Sequence, residues 1–411
     1  MGIRRVAIVG DGPAGCALAT HLARRGLRVA LFSRGRPGGL VVGESLVPAA
    51  VPLLRELGVE DEVRSYSQRK PGATFVVRDG DALGIDFAEA CAKVPGYAYN
   101  VPRARFDDTL LAVCRESGAE ILDAAAGVER DGATGRPVLV GESREQLAAS
   151  LGGPPDFLVD ATGRHRLLAR LLDLPASVGP RRDDALFAHF EGIPVEEPGH
   201  VYSDRLERGW CWRIPLPGVV SMGVVLPREV TRALGPDREA QLDALCRSDP
   251  YLAKLTGGAR RVSQVLRYTN YQLTTRRAVG EGWALVGDAF GFVDPIFSSG
   301  VYLALQGARD LADAITRGRP RDLRRYDARH RDHLVTWQRA VDTYYDGRFF
   351  ALLRLRGKRP ERGPRRWLHH HVSRHVTRVF TGESSRGGYS ARVLDLIAER
   401  GLPRDQEPRV L

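Results

Sequence analysis

The stretch that most constrains the fold lies near the N-terminus. An apolar run of strand length ends at Gly10, and Gly10, Gly12 and Gly15 have the spacing G-x-G-x-x-G, followed by helical apolar periodicity over residues 16–23. In such a motif the first glycine permits the turn, the second lets a pyrophosphate approach the backbone, and the third lets helix and strand pack closely, with the phosphates on the helix N-terminus. We therefore predict a strand, tight turn and helix that bind a dinucleotide through Gly10, Gly12, Ala14 and Gly15.

The second predicted strand, over residues 27–32, ends where dinucleotide-binding folds normally carry an acidic residue for the ribose hydroxyls. This chain has Ser33 there, followed by Arg34. A serine hydroxyl can still hydrogen-bond a sugar hydroxyl, and Arg34 can face the adenosine or a phosphate, so we predict that both residues contact the nucleotide. The missing carboxylate argues against tight adenosine binding and mildly disfavours NAD as the ligand.

Composition bounds the class of protein. The chain of 411 residues is long enough for two or three structural regions, and no stretch approaches the roughly 18 consecutive apolar residues of a membrane span. The N-terminal run lacks the flank and cleavage pattern of a signal peptide. The five cysteines are scattered without a C-x-x-C pair, which argues against a zinc site or a disulfide framework. We expect a cytoplasmic protein with reduced thiols and no membrane partner.

The C-terminal region carries part of the arginine excess behind the formal charge of +11. Such a surface can steer an acidic carrier protein, a phosphorylated cofactor or nucleic acid. Because aromatic residues do not interleave with the basic ones, we expect no nucleic-acid partner and favour a solvated surface. His369, His370, His371 and His375 invite a metal-binding interpretation, but only His371 and His375 share a helix face and no carboxylate lies near in sequence. We predict no metal site.

Three motifs in chain order carry a resemblance to a known family. They are the glycine motif, residues 160–163 with the sequence DATG, and Gly287-Asp288. Together they resemble the flavoprotein monooxygenases that hold FAD in a glutathione-reductase-like domain split by a substrate-binding sheet, over roughly residues 4–320. Strands alternate from about residue 186 to residue 268, which indicates a separate sheet rather than further βα units.

The predicted fold class is α/β. A glutathione-reductase-like, Rossmann-type FAD-binding domain is interrupted by a mixed or antiparallel β-sheet substrate domain and followed by a helical C-terminal region. The predicted divisions are residues 1–75, 101–175 and 269–320 for the FAD-binding domain, residues 76–100 and 176–268 for the substrate sheet, and residues 321–411 for the helical region.

The resemblance implies FAD as the cofactor and assigns residues to it. In that family the turn matching Gly287-Asp288 meets the pyrophosphate and the ribityl chain, and the arginine matching Arg103 lies beside the flavin. The residue types agree, since Asp288 can accept hydrogen bonds from sugar-like hydroxyls and a cation beside a phosphate-bearing cofactor is favourable. A turn-forming Asp after a strand is the plain alternative for Asp288. The resemblance implies further FAD contacts at Gly43, Glu44, Ser45, Val128, Asp160, Gly163, Pro295 and Gly300.

Three further features are similar to signatures of flavin-dependent halogenases. They are Trp210-x-Trp212-x-Ile214-Pro215, Phe292-x-x-Pro295-x-x-Ser298-x-Gly300, and Lys70 in the sequence KPGATF. Each has a plain alternative, because two tryptophans on one strand face can pack a core and a lone lysine is usually solvated. Their joint occurrence in one flavoprotein frame favours a halogenase.

The chemistry expected of such a site begins with reduced FAD and O2, which give a flavin C4a-hydroperoxide. Attack by a halide on its distal oxygen gives hypohalous acid. Ser299 and Gly300 begin a helix whose exposed amides suit chloride or bromide. Lys70 is the predicted catalytic residue, since a partly desolvated lysine can hydrogen-bond hypohalous acid or form a haloamine. The residues predicted to shield the substrate from the hydroperoxide are Trp210, Trp212 and Phe297.

The subtype follows from a second comparison of motifs. Phe297 stands where tryptophan halogenases typically carry a glutamate, and with residues 43–48 (GESLVP) this resembles halogenases of phenols and pyrroles. The expected substrate is an electron-rich aromatic, free or on an acyl or peptidyl carrier protein, in secondary-metabolite or antibiotic biosynthesis. The sequence identifies no base for a phenol. Without a second G-x-G-x-x-G, the resemblance implies a separate NAD(P)H-dependent flavin reductase.

Three alternatives stay open from the sequence. The first is a flavin hydroxylase or oxidase on the same frame, in which Lys70 is structural. The second is an isoprenoid double-bond reductase similar to the geranylgeranyl reductases, which needs neither halide nor O2. The third is a flavin-binding protein without catalysis, which the substitution at Ser33 keeps open.

Overall fold

The computed structural model describes residues 2–35, 40–77, 81–270, 272–357 and 377–385. The histidines considered for a metal site, His369, His370, His371 and His375, lie outside these residues. Within them, no group of histidine, cysteine and acidic side chains is placed to hold a metal ion. All five cysteines lie in the described part of the chain, and none forms a disulfide.

A six-stranded sheet forms the centre of the nucleotide-binding domain. Its spatial order is Glu120–Leu122, Arg28–Phe32, Arg5–Val9, Phe157–Asp160, Trp283–Leu285 and Val279–Gly280. The first five strands are parallel, and the short edge strand runs antiparallel. The central strands are continuous apolar runs buried on both faces, as a parallel sheet covered by helices requires. The predicted α/β class is confirmed.

Long helices cover this sheet. Pro13–Ala23 follows the glycine motif and packs against Arg103–Glu116 and Gly300–Arg317. Its first residue is a proline, whose fixed φ suits the first helical position and whose missing N–H has no partner to lose there. Gly300–Arg317 ends at Gly318, which adopts the left-handed conformation that closes many helices. The predicted strand, turn and helix at the N-terminus are confirmed.

An eight-stranded mixed sheet lies across the nucleotide-binding domain. Its spatial order is Arg260–Arg261, Asp183–Glu191, Val219–Pro227, Gly209–Leu216, Val201–Leu206, Gly72–Val76 and Ala82–Asp86, and Leu266–Asn270 also pairs with Asp183–Glu191. Neighbours are antiparallel except Val201–Leu206 and Gly72–Val76, which are parallel. The division predicted after residue 75 differs from the structure, since Gly72–Val76 lies wholly in this sheet. One of its two partner strands, Val201–Leu206, is more than a hundred residues away, so local sequence gives no signal for that pairing, whereas the other, Ala82–Asp86, follows it directly.

The two faces of the large sheet have different partners because side chains alternate along each strand. Along Gly209–Leu216, Trp210 and Trp212 face the nucleotide-binding domain. The opposite face packs on helices Arg238–Ser248 and Pro250–Thr256 through a second hydrophobic core. The face that carries the two tryptophans forms a roof over the nucleotide-binding domain.

The remaining elements are short or lie towards the C-terminus. Three small sheets consist of Ala176–Val178, Leu273–Thr275 and Gly291–Phe292; of Gln68–Lys70 and Ala98–Asn100; and of Val128–Arg130 and Pro137–Leu139. The other α-helices are Val51–Leu57, Glu60–Tyr66, Phe87–Ala90, Gly141–Leu151, Leu167–Leu171, Arg228–Ala233, Pro320–Tyr345 and Arg348–Gly357. The 3-10 turns are Pro48–Ala50, Gly163–His165, Gly287–Ala289 and Pro295–Phe297. Across the described ranges, no helix has both the length and the apolar character to cross a bilayer.

Candidate functional site

The glycine motif has the tight geometry that its spacing predicts. Gly10 has a φ of +111°, in a region that favours glycine. A side chain at Gly10 would clash with the carbonyl oxygen of Ala161, and one at Gly15 with that of Gly10. At Gly12, by contrast, a Cβ would meet open space. The absence of side chains at Gly10 and Gly15 therefore allows the strands and the helix to pack closely, and Gly12 leaves room for a phosphate group.

A cavity lies between this motif and the roof. The predicted FAD contacts that line it are Gly12, Ala14, Gly43, Glu44, Ser45, Arg103, Gly163, Gly287, Asp288, Pro295 and Gly300. The predicted shielding residues Trp210, Trp212 and Phe297 line it as well, together with Lys70. Residues from more than 200 positions apart in the chain thus meet at one site.

Asp288 lies in this cavity without a hydrogen-bond partner among the described residues. It follows Gly287, whose φ is +64° and where a Cβ would lie 2.8 Å from the Ala14 Cβ, so the turn and the first helix pack closely. Burial raises the pKa of Asp288 to about 6, although Arg164 and Arg103 act in the opposite direction. A carboxylate in this position is stabilised by hydrogen-bond donors. Ribityl hydroxyls are such donors, so the turn fits FAD.

Arg103 is held firmly at the edge of the cavity. Its Nε and Nη2 each donate to a carboxylate oxygen of Asp107 at 3.1 Å, and its Nη1 donates to the carbonyl oxygen of Val42. Gly43, with a φ of +102°, passes so close that a Cβ there would lie 2.6 Å from Nη1. The guanidinium is therefore fixed beside the loop that begins at Val42.

The side chains of Glu44 and Ser45 in that loop have partners on other elements. The Glu44 carboxylate lies 2.7 Å from Nε2 of His189 on the large sheet. Ser45 Oγ accepts a hydrogen bond from Lys70. Both residues line the cavity, and the contact of Glu44 with His189 joins this loop to the large sheet.

Lys70 ends the strand Gln68–Lys70 and is only 2% exposed. Its Nζ donates to Ser45 Oγ at 2.8 Å and to the carbonyl oxygen of Leu46 at 2.9 Å, and lies 5.5 Å from the centre of the Phe87 ring. Burial lowers the pKa of Lys70 to about 7. Lys70 is therefore not a solvated surface lysine. With this pKa, both its ammonium form and its free amine form are populated near neutral pH.

The tryptophan pair forms part of the roof. The ring centres of Trp210 and Trp212 are 5.8 Å apart. Trp210 Nε1 donates to Tyr345 Oη at 2.9 Å, and Tyr345 Oη donates in turn to Asp294 Oδ2 at 2.9 Å. Sequence reasoning missed this series of hydrogen bonds, because nothing in the sequence around Tyr345 indicates its pairing with Trp210. Asp294 lies inside the second halogenase-like motif and was a detectable candidate.

Phe297 belongs to an aromatic cluster beneath the roof. Its ring centre lies 4.5 Å from that of Phe380 and 5.3 Å from that of Phe349. Phe75 on the roof lies 6.4 Å away and also contacts Phe349. Phe297 and Phe380 both line the cavity, so this half of it is apolar.

The helix Gly300–Arg317 points its N-terminus at the cavity. Ser298, in the left-handed conformation with a φ of 56°, and Gly300 line the cavity, whereas Ser299 does not. Ser299 is 1% exposed, and its Oγ has no hydrogen-bond partner among the described residues. The exposed amides of a helix start and an unpaired hydroxyl are together suited to an anion.

A second cavity adjoins the first on the other side of the glycine motif. The two share Gly12, Ala161 and Gly163. The other residues that line it include Gly10, Asp11, Arg34, Gly35, Thr162, His165 and residues 124–126. Ser33 is buried beside it, and its Oγ donates to Asp11 Oδ2 at 3.0 Å. Arg34 thus lies where the sequence predicts a nucleotide contact.

Two predicted FAD contacts, Val128 and Asp160, do not line either cavity. Val128 is not among the residues that line either cavity, where residues 124–126 stand instead. The Asp160 carboxylate accepts hydrogen bonds from Thr162 N, Thr162 Oγ1 and Leu168 N, so it fastens its own turn. The Asp160 carboxylate thus already has three partners in the turn that contains Gly163, and its predicted contact with FAD stays a prediction.

Comparison with known proteins identifies the family. Residues 85–348 match the tryptophan halogenase family, and residues 8–48 match NAD(P)-binding Rossmann-like domains. The chain belongs to the tryptophan halogenase family. It is 30% identical over 356 residues to the flavin-dependent halogenase rdc2 of Metacordyceps chlamydosporia, an alignment that covers 79% of this chain and 66% of rdc2. The resemblance to flavin-dependent halogenases that the sequence motifs carry is confirmed.

Two further proteins extend the comparison. The 1H-pyrrole-2-carbonyl-(peptidyl-carrier protein) chlorinase of Pseudomonas fluorescens Pf-5 is 26% identical over 387 residues, with 83% of each chain covered. The structure of the flavin-dependent brominase Bmp2 superposes with a TM-score of 0.77 at 20% identity, over 98% of this chain and 99% of Bmp2, and supports the fold. The chain spans between 59% and 66% of the length of the first five curated relatives that it matches.

Proposed function

We propose that the protein is a halogenase that uses FADH2 and O2 to chlorinate or brominate an electron-rich aromatic ring, a phenol or a pyrrole. The observation that carries the proposal is the position of Lys70, a lysine buried in a cavity that the predicted FAD contacts and the roof share. Family membership supports it, since the curated relatives named above are halogenases.

The residues present fit FAD in both cavities. When bound, reduced FAD would supply, with O2, the oxidising power needed to convert chloride or bromide to hypohalous acid. Asp288 would accept hydrogen bonds from the ribityl hydroxyls, Gly12 would leave room for the pyrophosphate, and Arg103 would place its fixed charge beside them. A separate NAD(P)H-dependent reductase would deliver the reduced flavin.

The N-terminus of Gly300–Arg317 would hold the halide. A helix start carries partial positive charge from its unpaired amides, and this helix has 18 residues. Ser299 Oγ, which has no hydrogen-bond partner among the described residues, is an additional donor. Ser298 and Gly300 therefore bring the helix dipole to the cavity that would hold the flavin, and the Ser299 hydroxyl lies next to that lining rather than in it.

Lys70 would deliver the halogen to the ring. With a pKa of about 7, it can donate a hydrogen bond to hypohalous acid as an ammonium or take the halogen as a free amine. The ring carbon then attacks the halogen, the bond from the halogen to oxygen or to the Lys70 nitrogen breaks, and the group released takes the ring proton. Ser45 and Leu46 hold Nζ in place for this step.

The apolar half of the cavity supports a neutral aromatic substrate. Its described lining includes Ala73, Phe75, Ile85, Phe87, Val201, Trp212, Ile214, Phe297 and Phe380. The ammonium and carboxylate groups of a free amino acid would be desolvated there without partners, which is costly. We therefore propose a phenol or pyrrole ring, either free or attached to a carrier protein, in secondary metabolism.

The experiment that tests the proposal asks whether product formation depends on halide. Protein loaded with reduced FAD is mixed with O2 in chloride, in bromide or in halide-free buffer, with monochlorodimedone and simple phenols as acceptors. We expect halogenated acceptor in both halide solutions and none without halide. A hydroxylated product that forms equally well without halide would contradict the proposal and indicate a hydroxylase.

A further inference from the structure

The roof carries a serine hydroxyl in the apolar half of the cavity that contains Lys70, here called the Lys70 cavity. Ser203 lies on Val201–Leu206, is 6% exposed and lines this cavity. Its register neighbours in the sheet are Phe75 on one side and Trp212 on the other. Residues directly opposite each other share a sheet face, and both neighbours line the cavity as well. Ser203 therefore places a hydroxyl between two aromatic side chains of the wall.

A buried tyrosine holds this hydroxyl in place. Ser203 Oγ lies 2.9 Å from Tyr344 Oη, and Tyr344 is fully buried. The Tyr344 ring centre lies 6.0 Å from that of Phe297 and 6.4 Å from that of Phe75. Burial raises the pKa of Tyr344, so its hydroxyl stays protonated. The pair of hydroxyls therefore offers hydrogen bonds without charge.

Ser203 keeps hydrogen-bonding capacity on its cavity side. A serine hydroxyl has one donor and two acceptor positions, and the bond with Tyr344 uses one of these three, whichever atom is the donor. Among the described residues, Ser203 Oγ has no other hydrogen-bond partner. At least one of its acceptor positions is therefore open to a ligand.

Two neighbouring hydroxyls are directed away from the cavity. Thr74 Oγ1 lies 2.9 Å from His200 Nδ1, and Tyr202 Oη accepts a hydrogen bond from Glu197 N at 2.6 Å. Thr74 and Tyr202 are opposite each other in the sheet, at positions that alternate with that of Ser203. Their side chains therefore point to the other face of the sheet. The Ser203 hydroxyl differs from both in lying on the cavity face.

We propose that Ser203, held in place by Tyr344, binds the hydrogen-bond donor of the substrate ring, which is the hydroxyl of a phenol or the N–H of a pyrrole. The inference rests on the proposed function, since it takes an aromatic substrate in this half of the cavity as given. The donor group of such a ring decides which of its carbons are electron-rich. Fixing that group at Ser203 therefore fixes which carbons can reach the halogen delivered by Lys70.

The test measures binding of small aromatic probes to the full-length protein loaded with oxidised FAD, so that no halogenation takes place. Dissociation constants come from the change in flavin absorbance for two pairs of probes, p-cresol with p-xylene and pyrrole with furan. The members of each pair have similar shapes, but only the first has a hydrogen-bond donor. The ratio of the two constants therefore reports the hydrogen bond of the donor, and the two pairs distinguish a hydroxyl from an N–H.

The variants change the hydroxyl or the group that holds it. Ser203→Ala removes the acceptor, and Tyr344→Phe removes its partner. Ser203→Cys keeps the shape of the side chain with a weak acceptor, and it carries the test if Ser203→Ala does not fold. Thr109→Val is the matched control, because Thr109 Oγ1 lies 3.1 Å from Tyr66 Oη in another buried hydroxyl pair and neither residue lines either cavity.

We expect the wild type to prefer the donor-bearing probe in at least one pair, and Ser203→Ala to reduce this preference by about 3-fold to 10-fold. Ser203→Cys and Tyr344→Phe should reduce it less, and Thr109→Val should keep it. Equal weakening of both members of a pair would show that Ser203 only maintains the wall and would overturn the inference.

The remaining outcomes separate this inference from the proposed function. Halide-dependent halogenation by a wild type that shows no preference for the donor would overturn the inference and leave the proposed function intact. A donor preference that is lost in Ser203→Ala, without halide-dependent product from the wild type, would support the subsite and contradict the proposed function. A wild type that binds none of the probes would overturn the inference and the proposed substrate class together.

Discussion

The two sides of the Lys70 cavity differ in how their polar groups are paired. On the nucleotide side, the cavity-lining Asp288 has no hydrogen-bond partner among the described residues, and neither has Ser299 Oγ, which lies between the lining residues Ser298 and Gly300. On the roof, Trp210 Nε1 is paired with Tyr345. Trp212 likewise pairs through its Nε1 with Ser221 Oγ. Unpaired polar groups in a cavity are costly unless a ligand completes them, whereas paired ones form a stable wall. By this difference we assign Asp288 to ligand binding and the two tryptophans to the wall of the cavity. Arg103 and Lys70 are also paired, and they are assigned by their positions in the cavity.

The largest effect is expected at Asp288. Asp288→Asn should weaken FAD binding by about 10-fold to 100-fold, since a charged acceptor is lost. The same change should stabilise the apo-protein by about 1–3 kcal/mol, because a buried carboxylate is replaced by a neutral amide. Flavin titration and denaturant unfolding of the apo-protein measure the two effects.

The pH dependence sharpens this prediction. Burial raises the pKa of Asp288 from 3.8 to about 6, so between these values the folded apo-protein binds more protons than the unfolded chain. Asp288 therefore contributes a fall in stability as pH rises from about 4 to about 6, and Asp288→Asn should remove that contribution. Asp160→Asn is the comparison for the stability change at fixed pH, because that carboxylate accepts three hydrogen bonds within its turn and its loss should destabilise the protein, although burial raises the pKa of Asp160 as well. If Asp288→Asn also destabilised the protein, the proposal that Asp288 is an unpaired, ligand-binding carboxylate would be contradicted.

On the roof, we expect an effect on stability alone and of the opposite sign. Tyr345→Phe removes the acceptor of Trp210 Nε1 and the donor to Asp294 Oδ2, both buried, and should destabilise the protein by about 1–3 kcal/mol. FAD affinity should not change, since the roof is proposed to enclose and not to bind. Chemical denaturation measures the change in stability, and flavin titration measures the FAD affinity. Unchanged stability with weaker FAD binding would contradict the proposal that the roof encloses the cavity and does not bind FAD.

The smallest effect is expected at the helix N-terminus. Ser299→Ala removes one proposed halide donor but leaves the backbone amides, so the apparent halide KM should rise about 2-fold to 10-fold with little change in stability. The dependence of halogenated product on chloride and bromide concentration measures it. Ser65→Ala, an exposed serine on a different helix, serves as the control. A halide KM equal to that of the wild type would remove Ser299 from the halide site.

Local motifs predicted the parts of the site that local structure builds. The strand, turn and helix around Gly10, the Gly287 turn and the start of the helix at Gly300 each depend on residues within a short segment. Lys70 was assigned from its motif, and its burial and lowered pKa agree with the role proposed for it.

Contacts between distant segments were not predictable in the same way. Trp210 meets Tyr345 across 135 positions and Glu44 meets His189 across 145. The first pairing depends on how the helix Pro320–Tyr345 packs on the large sheet, and the second on how the sheet lies on the nucleotide-binding domain. The substitution at Ser33 was visible in the sequence. The hydrogen bond from Ser33 to Asp11 was not visible, because only the fold brings the glycine motif next to the end of the second strand.

The measurement that tests the central claim most directly follows Lys70→Ala through a single turnover. Protein loaded with reduced FAD is mixed with O2 and bromide, and flavin oxidation and halogenated product are recorded together, with the exposed Lys254→Ala as control. We predict that Lys70→Ala oxidises its flavin but yields no halogenated acceptor, while Lys254→Ala behaves as the wild type. Halogenated product at the wild-type level from Lys70→Ala would contradict the account.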